Sequence, residues 1–239
     1  MKKLITIAVM LVSNHLYANT NSSCVQSSSQ IKAQYQITES QQNHQQSREL
    51  TLWRNGEQVA HQSDNIVELW QHLKNNQIRP IRYFTEHKRG IEYQPSEVTG
   101  KQSWSAKYQL LDKKLIDKMK LVSEQGQGCD KSQLLEFADK NIKIKVNWLP
   151  ELQLAQSIQI SQGQYAREIK LLSKNTDKTL INQQFKQWDL YQTTDYADVG
   201  DNENDPFLAK MINQGFIEHG ATGFYNQNGE MLQGHGHHH

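Results

Sequence analysis

The chain has 239 residues, of which 36% are hydrophobic, and its formal net charge is +1. This length is sufficient for one domain with a buried core, and the aromatic and aliphatic residues spread along the chain exclude a disordered protein of high net charge. The near-zero charge also argues against a nucleic-acid-binding protein, which would carry a basic stripe, and against a polybasic membrane-binding segment.

The N-terminus has the pattern of a secretory signal peptide over residues 1–18. Lys2 and Lys3 precede an apolar run over residues 4–12, and Ala18 is a small residue at the expected cleavage position. The apolar run is shorter than the roughly 20 residues that a membrane-spanning helix needs. We therefore expect cleavage near Ala18 and a soluble periplasmic protein without a transmembrane segment, with an N-terminal membrane anchor as the alternative.

The two cysteines, Cys24 and Cys129, are expected to form a disulfide, because their number is even and an exported protein meets an oxidising compartment. The bond would close a loop of about 100 residues, which stabilises the fold by roughly 4–5 kcal/mol in the chain-entropy model. The alternative, a metal-binding or redox-active thiol pair, lacks a Cys-x-x-Cys motif. The Asn-, Ser- and Gln-rich residues 19–30 are expected to form a flexible mature N-terminus.

The first predicted elements are strands and hairpins. Apolar and polar residues alternate over residues 31–37, as in a half-buried strand. Two further runs flank Asn55-Gly56, a dipeptide that favours a tight hairpin turn because both residues adopt positive φ. A second hairpin is predicted from residues 81–86 and 91–94, with Gly90 at its turn.

A helix is predicted between the two hairpins, over residues 66–75. Asn65 and Glu68 have the spacing of a capping box, and the apolar residues that follow recur at intervals of three and four. Further along, alternation predicts a strand over residues 104–110, and residues 112–122 suit either a helix or a strand.

The rest of this region is predicted as one short helix, over residues 134–139, among further strands. Those strands are predicted from alternation over residues 142–148, 158–160, 165–171 and 185–191.

Residues 31–191 are thus expected to form one antiparallel β-rich domain. Most links are hairpins, which predicts an α+β fold that is mainly β, with a curved, half-barrel-like antiparallel sheet and two to four helices. Such a sheet either fills its concavity with side chains or leaves a ligand cavity there.

The second predicted hairpin carries a group of basic and aromatic side chains. Arg82, Tyr83, Arg89 and Tyr93 are a candidate ligand-binding patch. Cross-strand charge pairs on a solvated face explain the same residues, and this alternative is the favoured one.

Residues 192–233 are predicted to form an acidic loop and a C-terminal helix. Four acids are candidate ligands of a hard cation such as calcium: Asp198, Asp201, Glu203 and Asp205. Their spacing does not match an EF-hand loop. The favoured alternative is that Asp205 caps a helix beginning at Pro206, while the other acids stabilise the N-terminus of that helix.

The His-rich tail, residues 234–239, is the second candidate metal site. Its histidines His235, His237, His238 and His239 are candidate ligands for a divalent transition metal such as Zn, Cu or Ni. An incidental solvated tail and an engineered affinity tag are the alternatives.

The order of the predicted elements over residues 31–191 resembles the periplasmic lipoprotein-carrier superfamily. The resemblance rests on layout and not on a diagnostic motif. It implies an exported chain with an antiparallel half-barrel and helices that form a lid over an apolar pocket. No binding residue of that superfamily can be placed on this sequence.

We therefore expect a soluble periplasmic binding or carrier-type protein for an apolar or amphiphilic ligand, such as a lipid. A metal-binding protein that uses the His tail and an envelope protein that binds an unknown protein partner are the alternatives. An enzyme is not favoured, because the sequence lacks hydrolase, zinc-protease and phosphate-loop motifs and its histidines are scattered.

Overall fold

The computed structural model describes residues 24–98, 103–201 and 204–213. Twelve strands and four α-helices lie within these ranges. The strands are β1 (Gln30–Gln41), β2 (His44–Asn55), β3 (Gln58–Ser63), β4 (Ile66–His72), β5 (Ile78–Phe84), β6 (Arg89–Glu92), β7 (Lys120–Gln125), β8 (Ser132–Ala138), β9 (Lys143–Leu149), β10 (Leu154–Gln162), β11 (Tyr165–Asn175) and β12 (Gln192–Asp195). The helices are α1 (Trp104–Gln109), α2 (Lys113–Ile116), α3 (Lys178–Asp189) and α4 (Pro206–Asn213).

All twelve strands belong to one sheet, in the order β12-β6-β5-β4-β3-β2-β1-β11-β10-β9-β8-β7. Every pair of neighbours is antiparallel except β12 and β6, which are parallel. The long strand β1 pairs with β2 on one side and β11 on the other, so it joins the two halves of the sheet. The predicted fold class is confirmed: the protein is mainly β, with a long, open, curved antiparallel sheet and short helices.

The strand register divides the side chains of the sheet between two faces. Leu52 and His61 are paired residues of β2 and β3, and their face is covered by α1 and α2; we call it the α1 face. Trp53 and Ala60 are also paired, and their face is covered by α3; we call it the α3 face. Near β5 and β6, the α1 face is also covered by α4, through Phe207.

Two predicted hairpins and the predicted disulfide are confirmed. The chain reverses between β2 and β3, where Gly56 has φ of +62°, a conformation that favours glycine. Asn55, which was expected to share the positive φ, is instead the last residue of β2. The chain reverses again between β5 and β6, but Gly90, which was predicted at this turn, lies within β6. Cys24 and Cys129 are bonded at a sequence separation of 105, which attaches the N-terminal segment to the connection between β7 and β8.

The helix predicted over residues 66–75 is wrong, because this segment forms β4. Val67 and Leu69 are buried on the α3 face and Trp70 is buried on the α1 face, so apolar residues stand on both sides of the strand. Burial on both sides removes the alternation that marks a half-buried strand. Glu68 pairs with Arg82 on the neighbouring strand and is not a cap.

The strands predicted over residues 104–110 and 185–191 are also wrong, because both segments are helical. Ser103 accepts a hydrogen bond from the backbone of Ala106 at the start of α1, and Leu110 ends that helix with φ of +64°. Over residues 185–191, apolar residues are buried at helical spacing and pack on the sheet as part of α3. A helix as short as α1 shows too few turns for its period to be read reliably from sequence.

The short helix predicted over residues 134–139 is β8 instead, which pairs with β7 and β9. The ambiguous residues 112–122 contain both alternatives, α2 followed by the start of β7. In the part of the chain that the structure describes, no helix is long and apolar enough to cross a bilayer. The predicted signal peptide lies outside the described residues.

Candidate functional site

Buried polar side chains are concentrated around α1. Among the described residues, five polar or charged residues are buried: Arg54, Lys107, Gln109, Asp112 and Arg167. Lys107 and Gln109 belong to α1, Asp112 is the N-cap of α2, and Arg54 lies on the sheet beneath α1. Because burying a polar group is unfavourable unless it is hydrogen-bonded, each of these side chains needs partners within the fold.

Arg54, at the end of β2, has no exposed surface and points its guanidinium at backbone carbonyl groups. Its Nε donates to Tyr108 O (2.6 Å), Nη1 donates to Ser28 O (3.1 Å) and Leu152 O (2.9 Å), and Nη2 donates to Gln153 O (2.7 Å). The guanidinium also lies 4.0 Å from the centre of the Tyr108 ring. Burial lowers the pKa of Arg54 to about 10, so the side chain remains a cation at neutral pH.

These bonds connect three segments that are distant in sequence. Ser28 belongs to the N-terminal segment, Tyr108 to α1, and Leu152 to the turn between β9 and β10. The Tyr108 hydroxyl donates to Ser28 O as well, at 2.9 Å. Arg54 therefore fixes α1 against the sheet. Sequence reasoning missed Arg54, although a charged residue directly after Leu52 and Trp53 in a predicted strand was the available signal.

A second polar group lies beneath α1 on β3, β4 and β5. His61, Glu68 and Arg82 are aligned across these three strands, and Glu68 forms an ion pair with Arg82. The Lys107 backbone carbonyl lies 2.8 Å from His61 Nε2, and Lys107 Nζ lies 4.4 Å from the centre of the Trp70 ring. We call Glu68, Arg82 and Lys107 the charge cluster.

Burial sets the protonation of the groups in and beside the charge cluster. It lowers the pKa of Lys107 to about 8, while the nearby Glu68 opposes this effect and Arg82 adds to it. It lowers the pKa of His61 to about 3, so the ring is neutral and its Nε2–H donates to the Lys107 carbonyl. At neutral pH Lys107 is therefore mostly a cation, whereas His61 is neutral.

The charge cluster is not sealed from solvent. The side chains of Arg82 and Glu68 keep 13% and 23% of their surface exposed, whereas Lys107 is 2% exposed. Tyr93 lies near the pair. Burial raises the pKa of its hydroxyl, and the charges of Arg82, Glu68 and Glu97 act on it as well. Its ring stacks on that of Tyr196, with ring centres 5.2 Å apart. The cluster thus has aromatic rings on two sides, Trp70 and the Tyr93–Tyr196 pair.

The residues of the predicted ligand patch are divided between the two faces. Arg82 and Tyr93 lie near each other on the α1 face. Arg89 lies farther along the same face, where it donates to Asp205 Oδ2 at 3.0 Å. Tyr83 is buried on the α3 face, against Gly90, where an added Cβ would lie 2.7 Å from its ring. The neighbours of Arg82 are instead Glu68 and Lys107, which the sequence interpretation did not include.

The acidic segment contains the predicted helix cap. Asp205 Oδ1 accepts hydrogen bonds from the backbone of Phe207 (2.9 Å) and Leu208 (3.4 Å), which confirms the cap of α4. Asp198 and Asp201 lie in the preceding 3₁₀ helix, and Glu203 lies outside the described residues.

Neither predicted metal site is tested by these contacts. Within the described ranges, no three His, Cys, Asp or Glu side chains are grouped so that they could hold a metal ion. The tail histidines His235, His237, His238 and His239 are beyond residue 213, outside the described residues. Metal binding therefore stays a prediction.

The chain matches no protein-family model and no curated protein. Several solved structures overlap part of it at low sequence identity. PNGF-II has a TM-score of 0.37 and 12% identity; the overlap covers 69% of this chain but only 31% of PNGF-II. A domain described as an outer membrane lipoprotein-sorting protein, from Vibrio parahaemolyticus, has a TM-score of 0.31 and 8% identity over 66% of this chain and 91% of its own.

The MucA/MucB complex from Pseudomonas aeruginosa is a third similar structure, with a TM-score of 0.33 and 9% identity over 64% of this chain and 56% of the other. These partial overlaps do not assign the chain to a family.

Proposed function

We propose that the mature chain is a periplasmic binding protein of the carrier type, which holds an apolar or amphiphilic ligand between the α1 face and helices α1 and α2. The observation that supports this proposal is the short length of the helices that cover the large apolar cluster of the α1 face. The α1 face bears the largest of the three apolar clusters of the described residues, and the helices above it have only six and four residues.

Helices this short are not stable on their own, because isolated helices below about 12–15 residues are marginal in water. Their position depends on contacts with the sheet: Leu110, Leu111 and Leu115 are buried in the apolar cluster, and Arg54 binds the carbonyl of Tyr108. Displacing such a cover costs less free energy than opening the sheet. An apolar chain of a ligand can replace the leucine contacts that the displaced helices give up.

Export is supported by two independent features. The N-terminal sequence has the pattern of a signal peptide. The disulfide between Cys24 and Cys129 is of a kind that persists in oxidising compartments such as the periplasm.

Binding is tested with the fluorescent apolar probe N-phenyl-1-naphthylamine, added to chain purified from the periplasm and stripped of lipid. We expect saturable binding, and we expect Leu115→Gln in α2 to weaken it by about tenfold through the loss of an apolar contact. Ile181→Gln in α3 is the matched control. Leu115 and Ile181 are both buried helical residues, but their helices cover opposite faces of the sheet. Ile181→Gln should lower stability and leave the affinity of the folded fraction unchanged. Absence of saturable binding by the folded wild-type chain contradicts the proposal.

A further inference from the structure

One end of the sheet carries exposed apolar side chains. β7 is the last strand in the sheet order, and all six of its residues are exposed. Leu121 and Val122 keep 50% and 48% of their surface exposed, although both are large apolar residues. Edge strands of natural proteins usually carry charged residues that prevent unwanted pairing, so an adjacent apolar pair on this edge needs a physical explanation.

A bulge in β7 positions this apolar pair. Leu121 pairs with Leu135 of β8 and Ser123 pairs with Leu134, so Val122 has no partner residue in β8. Bulges re-aim side chains, which is consistent with two neighbouring residues that are exposed to the same extent. Because Leu135 belongs to the apolar cluster of the α1 face, the pair lies at the border of the proposed ligand site.

Four exposed lysines lie at the same end of the sheet: Lys118, Lys120, Lys140 and Lys143. Lys120 is the first residue of β7, and Lys143 is the first residue of β9. Since β8 is antiparallel to both strands, their first residues lie at the same end, and the turn that contains Lys140 lies there too. We call these four lysines, together with Leu121 and Val122, the β7 corner.

The acids near the β7 corner do not balance its charge. Every acid but one within residues 117–122 and 136–145 is paired with a lysine outside the corner, in the ion pairs Lys113–Asp117 and Lys145–Glu136. The remaining acid is Asp139, which accepts a hydrogen bond from the backbone of Lys140. Among the described residues, no acid forms an ion pair with any of the four lysines. Four lysines against one acid leave a local excess of three positive charges.

The lysines of the β7 corner are close enough to act on a partner together. β7 and β9 are two strand spacings apart, or about 10 Å. This distance is comparable with the Debye length of about 8 Å at physiological ionic strength, so salt does not screen the lysines from one another completely. A broad anionic surface would therefore be attracted by all four.

The opposite edge of the sheet has the opposite charge. β12 forms that edge, and residues 192–201 contain no lysine or arginine but three acids, Asp195, Asp198 and Asp201. The β12 edge of a second copy of the chain would match the charge of the β7 corner. However, β12 has the sequence Gln-Thr-Thr-Asp, so it offers no large apolar side chain to Leu121 and Val122. An anionic lipid bilayer matches both the charge and the apolar pair.

We propose that the β7 corner docks the chain on an anionic lipid bilayer, with the lysines against the head groups and Leu121 and Val122 inserted between them. This inference rests on the proposed function, because it names the surface with which the carrier exchanges its amphiphile. Through Leu135, the apolar pair is continuous with the apolar cluster of the α1 face, which gives the amphiphile an apolar route from the bilayer. The sequence has no contiguous polybasic segment, since the fold gathers these lysines from two segments separated by β7 and β8.

Co-sedimentation of the processed chain with lipid vesicles tests this inference. One set of vesicles contains phosphatidylcholine alone, and the other contains equal parts of phosphatidylcholine and phosphatidylglycerol. We expect the wild-type chain to bind the anionic vesicles about tenfold or more tightly, and we expect added salt to weaken this binding. Equal affinity for both vesicles, or binding to neither, overturns docking on an anionic bilayer.

A variant that combines Lys118→Gln, Lys120→Gln, Lys140→Gln and Lys143→Gln should bind the anionic vesicles about tenfold or more weakly. The matched control replaces four exposed lysines in the other half of the sheet and on α3 by glutamine: Lys74, Lys88, Lys178 and Lys186. Both variants lose the same charge. Equal losses of affinity would therefore assign the binding to net charge and overturn the role of the β7 corner.

The apolar pair is tested by Leu121→Gln combined with Val122→Gln. At a salt concentration that screens the lysines, this variant should bind the anionic vesicles about fivefold more weakly than the wild type. The matched control is Leu172→Gln combined with Leu190→Gln, because these leucines are also exposed, by 52% and 86%. Unchanged affinity of the first variant overturns insertion of the pair. Thermal unfolding of every variant confirms that folded proteins are compared.

The outcomes separate this inference from the proposed function when the same proteins are titrated with N-phenyl-1-naphthylamine. A wild-type chain that binds this probe but no vesicles overturns the membrane docking and leaves the proposed function standing. Vesicle binding without probe binding overturns the proposed function and leaves the β7 corner as a docking surface. Binding of neither overturns both. Self-association in sedimentation velocity without lipid, abolished in the four-lysine variant, assigns the corner to a second copy of the chain and overturns the bilayer as its partner.

Discussion

The two faces of the sheet are covered by different physical means. On the α3 face, a helix of 12 residues buries Ile181, Phe185 and Trp188 against the sheet, and Trp188 meets the Trp53 ring edge-on with centres 5.7 Å apart. On the α1 face, helices of six and four residues are held by buried leucines together with polar groups. The central one is Arg54, which binds carbonyl groups of three separate segments.

In our proposal, the α3 face mainly stabilises the fold, whereas the α1 face binds the ligand. Apolar burial on the α3 face contributes free energy without directional requirements, and the helix there is long enough to present a continuous apolar stripe. Buried polar groups contribute less net free energy, and each must keep its partners to avoid a penalty. The α1 face therefore accepts a less stable cover, and it is the face on which we place the ligand.

The largest expected change in the free energy of unfolding comes from replacing a tryptophan in the helix that covers each face. Trp188→Ala in α3 should lower the free energy of unfolding by about 3–5 kcal/mol, because the side chain is 1% exposed and packed on two aromatic rings. Trp104→Ala in α1 should cost clearly less, since Trp104 is only partly buried and stacks on His72. Urea denaturation measures both values, and equal losses would show that the two covers contribute alike.

An intermediate effect is expected from Arg54→Met, which should lower the free energy of unfolding by about 2–3 kcal/mol as buried carbonyl groups lose their donor. Hydrogen exchange should accelerate first in α1, whose Tyr108 carbonyl loses the Arg54 donor, while α3 remains protected. Arg48→Met is the control, because Arg48 lies on the same strand and face but is exposed. Uniform acceleration in both helices would refute a specific role of Arg54 in holding α1.

The smallest effect concerns His61 and pH. The folded state keeps this histidine neutral down to a pKa of about 3, whereas the unfolded chain takes up the proton near the ordinary value of 6.5. Between these values the unfolded state binds more protons, so stability is lost as pH falls below about 6.5. From pH 7 to pH 5 we expect His61 to account for a loss of about 1–2 kcal/mol.

The measurement is urea denaturation of wild-type protein and His61→Gln at both pH values. The variant keeps a donor for the Lys107 carbonyl and should lack this part of the pH dependence. Identical pH dependence in the two proteins would show that His61 is not held neutral in the fold.

Features that depend on a few neighbouring residues were predictable from the sequence. The hairpin at Asn55-Gly56 and the Asp205 cap before Pro206 follow from backbone preferences that act over a few positions. The disulfide followed from the even number of cysteines.

The helix predicted at β4 failed for a reason that lies outside its own sequence. Because the sheet carries helices on both faces in this region, Val67 and Trp70 are buried on opposite sides of one strand. Apolar residues on both sides of a strand give the spacing of a helix. The candidate site failed in part for a similar reason, since Lys107 joins Glu68 and Arg82 only after α1 folds back over the sheet.

By itself, the sequence determined the β-rich class, the hairpin at Asn55-Gly56, the disulfide and the signal-peptide pattern, because each follows from local conformational preference or from composition. Only the tertiary structure decided which residues share a face, which helix covers that face, and which charges are buried together. Those outcomes depend on long-range strand pairing, such as that of β1 with β11, and on desolvation, which a side chain experiences only after distant segments have packed around it.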